Sequence, residues 1–113
     1  MIFGAAATAQ DDATSGDQNM RRAYDTALRC FVANGNIYSE FKKAGDVANA
    51  RLFDAKAKRA FDVAKGDAIF LHLDSAQVTA DVQQAMDTEL PKLVRDGGYL
   101  TTVAKDCKRE GLM

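Results

Sequence analysis

The sequence predicts an all-α protein, a small bundle of four to five helices in which a disulfide joins the first and last helices. Three observations predict this fold. The composition favours helix, with many Ala, 15 Lys and Arg, one Pro and no alternating run of Val, Ile or Thr. Apolar residues recur at intervals of three and four along most of the chain. The two cysteines, Cys30 and Cys107, fall near the ends of the first and last predicted helices.

The size and charge of the chain limit the classes of protein that it can be. Its 113 residues suit one domain, which buries roughly two-thirds of the surface that the unfolded chain would expose. The net charge is -1, and charges of both signs are interspersed. A nucleic-acid-binding protein would show a basic stripe, so this pattern argues against one. After residue 10, no stretch of the sequence approaches the roughly 20 apolar residues of a membrane span. No membrane-spanning helix is therefore predicted.

Residues 1–10 carry no charged side chain and contain Ala7-Thr8-Ala9 just before Gln10, which resembles the end of a secretory signal peptide. Small residues stand at the two positions that a signal peptidase reads, but a basic leading segment and a full apolar stretch are missing. We therefore predict that the true start lies upstream and that the mature chain begins near Gln10 or Asp11, in the periplasm or outside the cell. The alternative is an Ala-rich N-terminus of a cytoplasmic protein.

Residues 11–16 are polar and are predicted to form a flexible lead, followed by a single helical domain over residues 17–113. The first helix should start near Asp17. Asn34-Gly35-Asn36 should end it, because Gly and Asn tolerate the left-handed conformation that a helix C-terminus needs. Its apolar face consists of Met20, Ala23, Tyr24, Ala27, Leu28 and Phe31.

Two further helices are predicted between residue 37 and about residue 72. A short one of about eight residues covers residues 37–44 and is closed by Gly45. Asp46 can cap the next. The apolar stripe of this third helix stays in phase to about His72, so the helix either continues past Gly66, at roughly 1 kcal/mol for the glycine, or breaks there.

The last third of the chain is predicted to hold two more helices. Asp74-Ser75 is the start signal for the fourth. Pro91 removes a backbone donor and clashes with the preceding turn, which predicts a kink or a restart near Glu89-Leu90. A turn at Asp96-Gly97-Gly98 leads into the last helix, and the final Leu112-Met113 is expected to fold back against the core.

The cysteine spacing excludes several kinds of site. Zinc sites and thioredoxin-like motifs need ligands or thiols within two to four residues, whereas Cys30 and Cys107 are 77 positions apart. A disulfide or two free buried thiols remain. If five helices alternate up and down, the first and last run the same way, and both cysteines then lie at the same height. That arrangement permits a disulfide, which an exported protein would keep.

Catalytic and ligand-binding motifs are missing from the sequence. His72 is the lone histidine and is expected at a helix C-terminus, where the helix dipole favours it. Asp81, Asp87 and Glu89 are expected to form an ordinary solvated helical face. No glycine-rich phosphate loop, nucleophile elbow or paired-histidine metal spacing occurs. We therefore predict no enzyme, no cofactor and no metal.

One stretch in the middle of the chain has aromatic and small residues at a repeat-like spacing: Phe41, Gly45, Ala57, Phe61 and Ala64. These positions partially resemble a tetratricopeptide repeat, and the resemblance implies a functional alternative, a helical adaptor with a peptide-binding surface. Ala48 replaces the usual tyrosine, Ile69 replaces the terminal proline, and no second repeat is present.

A second resemblance covers most of the mature chain. It rests on the segment Arg29-Cys30-Phe31-Val32-Ala33-Asn34, on Glu89-Leu90-Pro91, on Asp96 followed by Tyr99-Leu100, and on the closing Cys107-Lys108-Arg109-Glu110-Gly111-Leu112-Met113. Together these resemble small exported, two-cysteine helical proteins of alphaproteobacteria. The resemblance implies export and a cysteine pair and leaves the function open.

The leading functional hypothesis is a non-enzymatic periplasmic or secreted domain that binds another protein or belongs to an envelope assembly. The competing hypothesis is a small-molecule binder with an aromatic pocket among the helices. Aromatic residues at helical spacing are more often core than ligand-binding. The candidate pocket residues are Phe41, Phe53, Phe61, Phe70 and Tyr99.

Overall fold

The computed structural model describes the backbone of residues 2–113 and the side chains of residues 16–113. It contains four helices, α1 (Ile2–Lys43), α2 (Val47–Phe70), α3 (Ser75–Arg95) and α4 (Gly97–Arg109), and no strand occurs among the residues it describes. The all-α prediction is confirmed, with four helices.

The first helix is longer than predicted at both ends. It begins at Ile2, whereas a start near Asp17 was expected. The predicted signal-peptide remnant, residues 1–10, and most of the predicted flexible lead, residues 11–16, lie outside the described side chains, and both assignments stay predictions. At the other end, Asn34-Gly35-Asn36 does not stop the helix, which continues to Lys43 and absorbs the predicted short second helix.

Tertiary packing explains why the Asn-Gly-Asn signal fails. Asn34 is fully buried, and its Nδ2 donates a hydrogen bond to the carbonyl of Leu112. Beyond it, Phe41 of α1 stacks on Phe53 of α2 with ring centroids 5.7 Å apart. Packing against a neighbouring helix outweighs a local preference of roughly 1 kcal/mol.

The turns between the helices follow local chemistry. Gly45 has a φ of 76°, and the amide of Asp46 donates to the carbonyl of Phe41, which closes α1. The Asp46 carboxylate then accepts from the amide of Asn49 at the start of α2. Since α2 runs unbroken from Val47 to Phe70, it is continuous through Gly66.

The helix α3 starts where predicted and is not interrupted at its proline. Asp74 caps it by accepting from the amide of Gln77 at 2.8 Å. The helix does not end and begin again near Pro91. The last turn is stabilised by the burial of Leu93 and by a hydrogen bond from the amide of Asp96 to the carbonyl of Lys92. The turn that was predicted over Asp96-Gly97-Gly98 consists of Asp96 alone, which follows α3 and caps α4.

The helix α1 contacts each of the other three helices. Phe31 packs on Phe61 and Phe41 on Phe53, so α2 runs antiparallel to α1. One face of α2 consists of buried alanines, whose small side chains let α2 pack close to α1. The members of this face are Ala50, Ala57, Ala60, Ala64 and Ala68.

The helix α3 runs in the same direction as α1. Tyr24 bonds Asp81 and, further along both helices, Arg29 contacts Glu89. The final residues fold back as predicted, with Leu112 only 6% exposed in the core.

Candidate functional site

The cysteine pair joins α1 to α4. Cys30 and Cys107 form a disulfide with Cα atoms 5.7 Å apart, and both residues are fully buried. The sequence predicts that Cys30 lies one turn before the end of a helix, in a five-helix arrangement. With four helices, Cys30 instead lies inside the long α1, and only Cys107 lies near a helix end.

A polar cluster links α1, α3 and α4 near the disulfide. Glu89 on α3 is 8% exposed, and its carboxylate lies 3.3 Å from Arg29 Nε of α1. The hydroxyl of Tyr99, on α4, donates to the other oxygen of the same carboxylate. Burial, followed by the hydrogen bond to Glu89, raises the pKa of Tyr99.

A second cluster of the same composition lies about two turns earlier on α1 and α3. The buried Tyr24 donates to Asp81 at 2.8 Å, and Arg21 approaches the same carboxylate at 3.9 Å. Burial, followed by this hydrogen bond, raises the pKa of Tyr24. Each cluster joins one tyrosine, one carboxylate and one arginine. Together the two clusters fix the axial register of α3 relative to α1.

These clusters correct the expectation of a solvated carboxylate face on α3. Asp87 is exposed and accepts from Gln83, as expected of such a face. Asp81 and Glu89 lie instead at the α1–α3 interface, where both carboxylates are partnered. Their spacing of eight residues places them on one side of α3, which is the signal that reasoning on the sequence did not use.

His72 follows α2 and is exposed, with a φ of 60°. It occupies the left-handed position that more often holds glycine or asparagine after a helix. Among the residues with described side chains, no group of histidine, cysteine or carboxylate side chains is arranged to hold a metal ion. No helix in the described part of the chain is both long and apolar enough to cross a bilayer.

The five aromatic residues that were considered as a pocket do not line one cleft. Phe41 and Phe53 stack on each other near the α1–α2 turn, and Phe61 packs on Phe31. Phe70 is 58% exposed at the end of α2. Tyr99 belongs to the cluster around Glu89. The structure therefore distributes these residues over the molecule.

The tetratricopeptide-like stretch also differs from that repeat. The repeat requires two helices with a turn between them, expected here at residues 49–53. Instead α2 is a single helix from Val47 to Phe70. The positions that suggested the resemblance are thus explained by the packing of α2 on α1.

An apolar groove lies between the second half of α1 and the end of α3, and we call it the α1–α3 groove. It has a volume of about 250 Å³. Met86 and Leu90 supply its α3 side, and Met86 is 37% exposed. Val94, one turn further along α3, is 68% exposed. The α1 side consists of Phe31, Val32, Gly35, Asn36 and Ser39.

The residues of the α1–α3 groove are suited to receiving apolar side chains. Gly35 has no neighbouring atom within 4 Å of the position its Cβ would take, so the groove floor is open there. Met86 is unbranched and adapts its shape to a partner. Reasoning on the sequence missed this site because it depends on α1 continuing through Gly35.

Comparisons with protein-family models, with curated proteins and with solved structures found no match to this chain.

Proposed function

We propose that this chain is a non-enzymatic, exported helical domain that binds a protein partner through the α1–α3 groove. The observation that carries the proposal is an open apolar groove flanked by the exposed Met86, the half-buried Leu90 and, one turn further on, the exposed Val94. The core behind it is filled, with Leu93 and Leu28 almost fully buried. Apolar side chains that line a common groove at the surface are typical of interaction sites, whereas single exposed apolar residues are not.

The geometry of the groove favours a helical partner segment. Met86, Leu90 and Val94 recur every four residues along α3, and Phe31 and Gly35 do so along α1. An amphipathic helix presents its apolar side chains at the same spacing and binds apolar grooves in this way. We therefore expect a partner helix with apolar residues at i and i+4.

Export is the second part of the proposal. Disulfides persist in oxidising compartments such as the periplasm and are rare in the cytosol. A buried Cys30–Cys107 disulfide fits that environment. The Ala7-Thr8-Ala9 segment, which resembles the cleavage site of a signal peptide, supports the same proposal.

The partner proposal is tested by placing a photo-crosslinking amino acid at Met86 in the native host. We expect a specific partner, which is identified by mass spectrometry, purified and titrated against this protein by calorimetry. Met86→Lys should weaken binding at least about tenfold, since it places a charge in the apolar groove.

The matched control is Leu52→Lys on α2. Leu52 is 48% exposed and does not line the groove. Its substitution should leave the affinity unchanged. Equal affinities for the two variants would exclude the groove as the binding surface.

N-terminal sequencing of the native protein tests export. The expected first residue is near Gln10 or Asp11, and retention of Met1 would contradict processing by a signal peptidase.

A further inference from the structure

A second cleft, separate from the α1–α3 groove, opens between α1, α2 and the residues that follow α4. We call it the α1–α2 cleft. Its volume is about 460 Å³. Two arginines and two carboxylates face it, together with apolar side chains: Arg22, Arg59, Asp67, Glu110, Val63 and Leu112.

The four charged residues of this cleft are not partnered with one another. Arg21, Arg29 and Arg109 all form ion pairs with carboxylates. Among the side chains that the structure describes, no oppositely charged group lies within ion-pair distance of Arg22 or Arg59. Among these side chains, no cationic group lies within ion-pair distance of Asp67 or Glu110 either. The cleft thus presents both signs of charge to whatever enters it.

One carboxylate oxygen of the cleft, on Asp67, has no hydrogen-bond donor. Its Oδ2 atom is buried and has no hydrogen-bond partner. Burial raises the pKa of this carboxyl, because water is removed from the charged form and no cation replaces it. A bound ammonium group would supply the missing charge and donors.

We propose that the α1–α2 cleft binds a small zwitterion of the amino-acid or dipeptide class. The ligand carboxylate binds Arg22 and Arg59, whose planar guanidinium groups suit bidentate contacts. The ligand ammonium binds Asp67 and Glu110. An apolar side chain of the ligand then packs on Val63, which is 39% exposed.

The size of the cleft agrees with this ligand class. Its volume lies at the lower end of the range of roughly 300–1,000 Å³ that small-molecule sites occupy. A dipeptide fits such a volume, and its two charged ends match the two signs of charge in the cleft. This site does not depend on the α1–α3 groove, so either proposal can fail without the other.

The test is a titration of isotope-labelled protein with L-leucyl-glycine, followed by NMR. We expect saturable shifts of the amides around Val63 and Asp67. N-acetyl-leucyl-glycine lacks the ammonium group and leucyl-glycinamide lacks the carboxylate, and each should bind at least about tenfold more weakly. Equal binding of all three, or no saturable shift, would overturn the proposal.

Matched variants separate the charges of the cleft from general effects. Arg59→Gln and Asp67→Asn should each weaken dipeptide binding at least about tenfold. Arg51→Gln changes an exposed arginine of α2 outside the cleft and should have no effect. Unchanged binding in both cleft variants would contradict the site.

A direct measurement of Asp67 provides a test that does not depend on the probe. In the free protein, its carboxyl should titrate above the usual range and should move down when the dipeptide binds. A pKa below the usual range in the free protein would mean that Arg22 or Arg59 already neutralises Asp67, and the proposal would fail.

Discussion

The side chain of Asn34 donates a hydrogen bond to the backbone carbonyl of Leu112 across 78 positions of sequence, with Nδ2 and O 2.7 Å apart. The bond is buried, and it attaches the residues after α4 to the last third of α1. Asn34 stands where the sequence alone predicts the end of a helix.

We expect Asn34→Ala to lower the free energy of unfolding by about 1–3 kcal/mol, because the buried carbonyl of Leu112 then has no donor. Urea denaturation measures the change. Asn19→Ala, at an exposed position of the same helix, is the control and should stay within about 0.5 kcal/mol of the parent protein. If Asn34→Ala also changed the free energy of unfolding by no more than about 0.5 kcal/mol, water would be the donor that replaces Asn34 at the carbonyl of Leu112.

The disulfide should stabilise the fold without shaping it. A Cys30→Ala, Cys107→Ala double variant should lose up to roughly 4 kcal/mol, because the long loop between the two positions is no longer closed in the unfolded state. Its helical content by circular dichroism should match that of the parent protein. Loss of α4 helicity in the variant would show instead that the bond holds the folded state together.

Burial of both sulfur-bearing residues also predicts how the disulfide reacts. Exchange requires a thiolate to reach a sulfur atom, and Cys30 and Cys107 are fully buried. Thiol titration of denatured, unreduced protein should find no free thiol. Reduction of the folded protein should be slow and should accelerate with added denaturant. Rapid reduction without denaturant would favour a redox switch.

Leu28→Ala should lower the free energy of unfolding by about 2–5 kcal/mol, because Leu28 is 3% exposed at the centre of the core. Leu52→Ala, at a position 48% exposed, removes the same atoms and is the control. It should have a much smaller effect. Similar melting temperatures for the two variants would indicate that the packing of α1 is not as described.

The two tyrosine clusters predict a loss of stability in alkali. In the unfolded chain a tyrosine has a pKa of about 10, whereas burial raises the pKa of Tyr24 and Tyr99 in the folded protein. Above pH ~10 the unfolded state therefore loses protons that the folded state retains, and the free energy of unfolding falls as the pH rises.

The measurement compares the parent protein with a Tyr24→Phe, Tyr99→Phe double variant. Between pH ~10 and ~12 the unfolding free energy of the variant should fall less steeply, since the two shifted phenols are gone. Tyrosinate absorbance should report their delayed ionisation in the folded parent protein. Parallel slopes would contradict the shifted pKa values.

Local chemistry made part of the fold predictable. Asp46 and Asp74 cap helices as expected, because a carboxylate that accepts from the third following amide needs no tertiary contact. The apolar face around Leu28 was predictable because the helical period of apolar residues is also a local signal. The register of α3 on α1 was not, since it depends on pairs such as Tyr24 with Asp81, 57 positions apart.

The candidate sites were less predictable than the helices. Both depend on which side chains meet between helices, and a single sequence does not give the register of one helix on another. Gly35 contributes to the α1–α3 groove only because α1 does not end there, and Asp67 matters only because its Oδ2 is buried without a donor.

The covalent loop closed by Cys30 and Cys107 also has a mechanical consequence. It encloses all of α2 and α3, together with the part of α1 after Cys30 and the part of α4 before Cys107. A force that pulls on the chain before Cys30 and after Cys107 is carried through the sulfur–sulfur bond, so these helices bear none of it. About 260 Å of extended chain is withheld from stretching in this way. Tension along the polypeptide would therefore unravel α1 only as far as Cys30, breaking contacts such as Tyr24 with Asp81, whereas the chain between the two cysteines would not be stretched until the disulfide is reduced.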